Sequence, residues 1–203
     1  MNRGFYFDQS RCTGCFTCVI ACKDWHEYEM GAEPEAWIIV SSVERGRYPD
    51  ISVTSLARPC YHCAGAPCAK ACPVLAINKR AQDGIVVVER DLCLGRECML
   101  CKEACPYGAP KFGNDENAAM QKCDLCAERW SEGKKPICVE ACPTRALDAG
   151  WIEELRSTYG DVREADGFFY SKEASPCVTF KLKKQPKPAP ASGRGTISDS
   201  VIV

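Results

Sequence analysis

Sixteen of the seventeen cysteines fall into four sets of four. The first set reads Cys12-TG-Cys15-FT-Cys18-VIA-Cys22, and the second reads Cys60-YH-Cys63-AGAP-Cys68-AKA-Cys72-Pro73. The third is Cys93-LGRE-Cys98-ML-Cys101-KEA-Cys105-Pro106. The fourth is Cys123-DL-Cys126, an eleven-residue insert, and Cys138-VEA-Cys142-Pro143. Thiolates are soft donors that select zinc, copper(I) or iron–sulfur clusters. Zinc knuckles need only paired Cys-x-x-Cys. Three cysteines within residues 12–18 instead wrap one face of a cube, and the spacing x2, x2, x3 is the ligand run of cubane clusters. Three of the sets close with Cys-x-x-x-Cys-Pro, whereas Cys22 is followed by Lys23, so the turn after it differs.

The rival uses of cysteine fit less well. Seventeen is odd, and the N-terminus MNRGFYFDQSRC lacks both an apolar h-region and a twin-arginine pair. No signal peptide is expected, and a disulfide framework belongs to exported chains. Taken alone, the fourth set with its long insert is compatible with zinc; beside three cubane-type sets it reads as a fourth cluster site. The expected cofactors are therefore four 4Fe-4S clusters. The formal net charge of -1 counts neither thiolates nor metal. Each oxidised cubane with four thiolates carries about two negative charges, so the loaded protein stands near -9. The 26 Lys and Arg then serve as counter-charge. No basic block interleaved with aromatics points to nucleic acid. No apolar run approaches the roughly 20 residues of a membrane helix, so the chain has no span of its own.

The elements that must position these sets are short. GFYFDQ (4–9) reads as a strand leading into the first set, and 18–25 as the start of a helix. Residues 37–46 and 49–58 read as two strands. AIN and GIVVVE flank a turn at QDG and predict a β-hairpin between the second and third sets. TRALDAG resembles the segment after Cys72, which makes the motif and its flank an internal repeat. Residues 151–160 have helical spacing and end at Gly160, a natural helix stop. A hairpin is expected over 166–183, followed by a Pro-, Ala-, Ser- and Gly-rich arm, QPKPAPASGRGTISDSVIV. Periodicity between the sets is weak, so metal ligation supplies much of the folding free energy.

In two-cluster ferredoxins the fourth cysteine of one run ligates the other cluster. Sets two and three adjoin through the hairpin and pair; sets one and four pair by chain closure around them. One site then takes Cys12, Cys15, Cys18 and Cys142, and its neighbour takes Cys123, Cys126, Cys138 and Cys22. A third takes Cys60, Cys63, Cys68 and Cys105, and a fourth takes Cys93, Cys98, Cys101 and Cys72. The fold class is α+β, with two ferredoxin-like double-cluster lobes, short strands and helices, and many irregular loops. The outer lobe is 1–48 plus 114–165, the inner lobe 49–113, and 166–203 is the C-terminal hairpin and tail. The segment between Pro106 and Lys122 crosses between the lobes.

Cys177 stands outside the sets and reads as a small buried hydrophobe. His62 sits inside a ligand loop that Cys60 and Cys63 already satisfy. His26 is also single. Trp130, Lys122 and Arg145 lie near ligands, where packing or charge tunes a potential. No Ser/His/Asp set, paired catalytic carboxylates or phosphate-binding Gly loop appears, so no substrate chemistry is expected of this chain.

The residues FDQSRCTGCFTCVIACKD, CYHCAGAPCAKACP, DGIVVVERDLC, CKEACPYGAPKF and KCDLCAERWSEGKKPICVEACPTRALDAG together resemble the four-cluster iron–sulfur subunit of molybdopterin oxidoreductases. The likeness is closest to the dimethyl sulfoxide reductase β-subunit type, and similar subunits serve thiosulfate, polysulfide and tetrathionate reductases and formate dehydrogenases. One departure is Cys93-LGRE-Cys98, where many relatives have Cys-x2-Cys. The resemblance implies a subunit that relays single electrons between a large molybdenum or tungsten bis-pterin catalytic subunit and a quinone-linked membrane subunit. The outer pair of clusters would face the first and the inner pair the second. Exported members travel on the catalytic subunit's signal, so the absent signal here leaves the cytoplasmic or exported side undetermined, and membrane association is expected through partners. Two other readings are a relay in a soluble formate dehydrogenase or hydrogenase complex, and a zinc-dependent binding module.

Overall fold

The computed structural model describes residues 1–27, 36–47, 49–184 and 197–198. Strand β1 (Arg3–Asp8) carries Phe5 and Phe7, both buried, into the core. Helix α1 (Thr17–His26) follows with Val19 and Cys22 turned inward. Strands β2 (Ile39–Arg47) and β3 (Asp50–Arg58) form an antiparallel hairpin, paired from Ile39 with Arg58 to Arg47 with Asp50. This ladder runs across the expected 48/49 division. The short α2 (Pro67–Lys70) takes its Pro at the first helical position, where the missing N–H costs nothing.

The hairpin expected between sets two and three is present as β4 (Ile77–Lys79) against β5 (Val86–Val88). Helices α3 (Leu100–Ala104), α4 (Ala127–Ser131) and α5 (Ile137–Glu140) carry ligand loops. The repeat after Cys142 is strand β6 (Leu147–Trp151), which pairs antiparallel with β1. Helix α6 (Ile152–Tyr159) ends at Gly160, where φ of 96° lets the Gly160 N–H return to the Arg156 carbonyl.

The segment 166–183 departs from a hairpin. An isolated bridge joins Ala165 and Phe168, and β7 (Val178–Lys181) runs parallel to β1 instead. The sheet order is β6-β1-β7. Of the C-terminal arm only β8 (Ile197–Ser198) lies within the described residues, against β2. The largest core gathers Phe5, Phe7, Ile38, Leu56, Leu125 and Phe180 with several ligand cysteines. A smaller one, around Ile77, Val86, Phe112 and Met120, lies under β4 and β5. No helix among the described residues is long and apolar enough to cross a membrane.

Candidate iron–sulfur sites

Each set of cysteines is presented by a tight loop opening a short helix. The residue two places before the third ligand is left-handed in sets one to three: Phe16 (φ 60°), Ala66 (φ 39°) and Met99 (φ 44°). Such conformations cost about 1–3 kcal/mol each in non-glycine residues and persist where surroundings over-determine them. Pro136 holds the equivalent place in set four with φ of -52°, and Leu125 and Cys126 take positive φ instead. The Cys-Pro turns repeat closely. The Ala76 N–H donates to Cys72 Sγ at 3.2 Å, and the Ala146 N–H to Cys142 Sγ at 3.3 Å.

In two recesses three cysteines of one set meet a fourth from another. Cys12, Cys15, Cys18 and Cys142 wall one cavity, with Phe7, Val40, Ala57 and Leu147 around them. Cys72, Cys93, Cys98 and Cys101 wall another, with Ile77, Phe112 and Met120. Cys60, Cys63, Cys68 and Cys105 act on one another electrostatically. So do Cys22, Cys123 and Cys138, with Cys126 beside Cys138. The x4 gap after Cys93 does not remove that residue. A 3-10 turn over Gly95–Glu97 fills the gap, and Cys93 Sγ accepts N–H bonds from Gly95 and Met120. Gly95 has φ of 71°, and a Cβ there would press on the Asn117 backbone at 3.1 Å.

Burial pushes the Cys18, Cys68 and Cys126 thiols up to about 12 and Cys101 to about 11. Cys123 and Cys138 are pushed well above the ordinary thiol value for the same reason. Two ligands go the other way. Hydrogen bonds from Thr17 hold Cys15 down. Cys142 is desolvated, yet the Thr144 hydroxyl and the Ala146 and Leu147 N–H groups hold it below the ordinary value. Four sulfurs in an apolar recess, met by N–H donors, suit a cationic metal core that draws off the protons. The donor set therefore fits an iron–sulfur cluster.

The remaining candidates divide. Lys122 is buried, and its Nζ donates to the carbonyls of Val86 and Cys123. Trp130 donates from Nε1 to the Leu125 carbonyl at 3.0 Å, under the Arg3 guanidinium. Arg145 is exposed and bonds to the Glu140 carbonyl. Cys177 is buried beside Tyr6, Ile152 and Leu155, as a small apolar side chain. Lys79 carries no signal in the sequence, yet its Nζ ties down the carbonyls of His62, Cys63 and Gly84. The sequence puts His62 inside the second set's loop, but it does not mark the distant sulfurs that the His26 and His62 rings meet. His26 lies a hundred residues from the cysteine it meets, Cys126, and no local pattern marks such a contact.

Residues 51–152 match the 4Fe-4S dicluster domain family. The sequence is 40% identical over 200 residues to the B-chain of the anaerobic dimethyl sulfoxide reductase of Escherichia coli (strain K12), covering 91% of each protein. It is 42% identical over 165 residues to the corresponding B-chain of Haemophilus influenzae, covering 77% of this protein and 78% of that one. It is also 37% identical over 155 residues to Protein NrfC of Escherichia coli (strain K12), covering 76% of this protein and 67% of that one. Cysteine sets that share apolar recesses and a matching family pattern lead to one conclusion: the chain is an iron–sulfur protein and belongs to the 4Fe-4S dicluster family, with the B-chains of anaerobic dimethyl sulfoxide reductases.

Proposed function

We propose that this chain is the electron-transfer subunit of a dimethyl sulfoxide reductase-type complex, with four 4Fe-4S clusters held by the crossed sets. The ligands are Cys12, Cys15, Cys18 and Cys142; Cys22, Cys123, Cys126 and Cys138; Cys60, Cys63, Cys68 and Cys105; and Cys72, Cys93, Cys98 and Cys101. The observation that carries this reading is the pair of cavities in which three cysteines of one set meet a fourth from another. When bound, such clusters supply one-electron redox steps at potentials set by charge, hydrogen bonds and burial.

In this reading the four sites follow one another, each set sharing an element with the next or lying within electrostatic reach of it. Helix α1 carries Cys18 and Cys22 into two adjacent sites, and Cys138 lies within electrostatic reach of Cys18. Cys123 lies within reach of Cys60, which joins the outer pair to the inner. The α2 and α3 loops link the inner two, through Cys68 with Cys72 and Cys101 with Cys105. Phe7, Val40, Ala57 and Phe112 exclude water from the terminal recesses and so limit reorganisation around them.

In this reading the two lobes, 1–48 with 114–165 and 49–113, each hold two neighbouring sites, and the β2–β3 hairpin bridges the lobes. Cys15 is exposed at one end, beside the catalytic partner in this reading, a large molybdenum or tungsten bis-pterin subunit. At the other end Leu75, Leu92, Leu94 and Leu100 flank ligands of the Cys72 set and are 44–69% exposed. That apolar rim suits a membrane-anchored, quinone-reactive partner.

Metal analysis of the purified protein is expected to give about sixteen iron with equal acid-labile sulfide; four zinc instead would overturn the reading. In Cys22→Ser, the spectrum of the Cys123–Cys138 site should change while that of the Cys12–Cys18 site stays. The opposite pattern would disprove the crossover. A bis-pterin large subunit should co-purify.

A further inference from the structure

The protein has two histidines, and both bring Nε2 to sulfurs of one cysteine set. His62 is fully buried in the turn between Cys60 and Cys63, in a left-handed conformation with φ of 44°. Its Nδ1 accepts the Val86 N–H at 3.0 Å. A ring nitrogen that accepts carries no proton, so the hydrogen of the neutral imidazole belongs to Nε2. That Nε2 lies 3.8 Å from Cys123 Sγ. His26, the last residue of α1, has its Nε2 3.4 Å from Cys126 Sγ and 3.7 Å from Asp124 Oδ1. Two acceptors facing one nitrogen place a hydrogen there as well. The Trp37 ring, with centroids 4.6 Å apart, packs against His26 and helps hold its plane.

We propose that His62 and His26 are positioning residues for a single cluster, each donating an N–H···S bond to a thiolate of the Cys22, Cys123, Cys126 and Cys138 set and so raising its reduction potential. The proposal rests on the ligand reading above. Reduction adds negative charge that spreads onto the thiolates. A donor aimed at sulfur therefore stabilises the reduced form more than the oxidised one. His62 occupies the place where this matters for transfer between the lobes. Its backbone belongs to the Cys60–Cys63 loop and its ring reaches across to Cys123. Glu128 also lies near His26 and Cys126. With Cys126 committed to the cluster, His26 acts as a donor and not as a metal ligand.

The test is a redox titration followed by electron paramagnetic resonance on the full-length protein in its native complex, with Cys126→Ser identifying the signal of this set. His62→Leu and His26→Phe are each expected to move that signal to lower potential. A shift near tenfold in the reduction equilibrium is 59 mV for a one-electron couple. The other three signals should hold. His62→Gln, whose amide N–H reaches the same sulfur, should restore most of the shift. The proposal is overturned if either variant retains full iron and the identified potential does not move, or if the two variants shift different signals. Should His62→Leu fail to assemble, His26→Phe, at the end of a helix, carries the test. If Cys126→Ser alters no signal, or one shared with Cys60, the ligand reading itself fails, a result distinct from an unmoved potential.

Discussion

The half of the molecule built on β6-β1-β7 and the half built on β4-β5 use the same local parts. Each has an antiparallel ladder, a pair of ligand-bearing helices and a Cys-Pro turn closed by an alanine N–H on sulfur. They differ in how far apart the parts lie in the sequence. Strands β4 and β5 fall within residues 77–88, whereas β1 begins at Arg3 and its partner β6 at Leu147. Closing the longer loop costs more conformational entropy, although the cost grows only slowly with length. The far-closed half is correspondingly reinforced. Strand β7 adds a third member to its sheet, and Phe5, Phe7 and Phe180 are almost wholly buried. Cys22, Cys123, Cys126, Cys138 and Cys142 are buried there, against Cys60, Cys68 and Cys101 in the hairpin half. The hairpin half is thus expected to depend more on its metal, and the closed half more on its core.

Removing iron and sulfide by chelation should test this contrast most severely. Ligation at structural metal sites is worth about 10 kcal/mol or more, far beyond what a three-residue ladder supplies. Hydrogen exchange is expected to show β4 and β5 losing protection first, with β1 and β6 retaining some. Simultaneous loss in both would erase the distinction. Gly4→Ala probes the closed half alone. Its Cβ would stand 2.2 Å from the Cys177 carbonyl oxygen, which accepts the Phe5 N–H between β1 and β7. A loss of about 1–3 kcal/mol is expected, read as a lower melting temperature with the Cys72-site spectrum unchanged. The smallest effect belongs to the junction. Lys122→Met leaves the Val86 and Cys123 carbonyls without their donor but also relieves a buried charge. The two offset to about 1 kcal/mol or less. Loss of the cation beside Cys68 should lower the potentials of the sites on both sides of the junction. A shift confined to one side would place Lys122 within a single half.

Much of this is legible in the sequence. The strands at 4–9, 37–46 and 49–58 appear within a residue or two, and the helix at 151–160 stops at Gly160. These elements announce themselves because burial alternation and glycine act over a few residues. The segment at 166–183 is less legible. Its strand pairs in parallel with β1, from the opposite end of the sequence, and apolar alternation says that a strand forms without naming its neighbour. The buried state of Lys122 is equally hidden, since a lysine beside a ligand looks the same whether solvated or enclosed.

Cysteine types and spacing alone decide that this protein holds iron–sulfur clusters, because a cube face is wrapped by donors only a few residues apart. The order of the sets in the sequence also carries the expected exchange of fourth cysteines, but where the inner and outer pairs meet and which N–H groups face the sulfurs are decided only when distant segments pack. His62 against Cys123 and His26 against Cys126 are contacts of the folded molecule. The first forms where His62 and Lys122 both bond to Val86 of β5, and the second at the end of α1, which packs against α5; no short-range rule of sequence contains either distance.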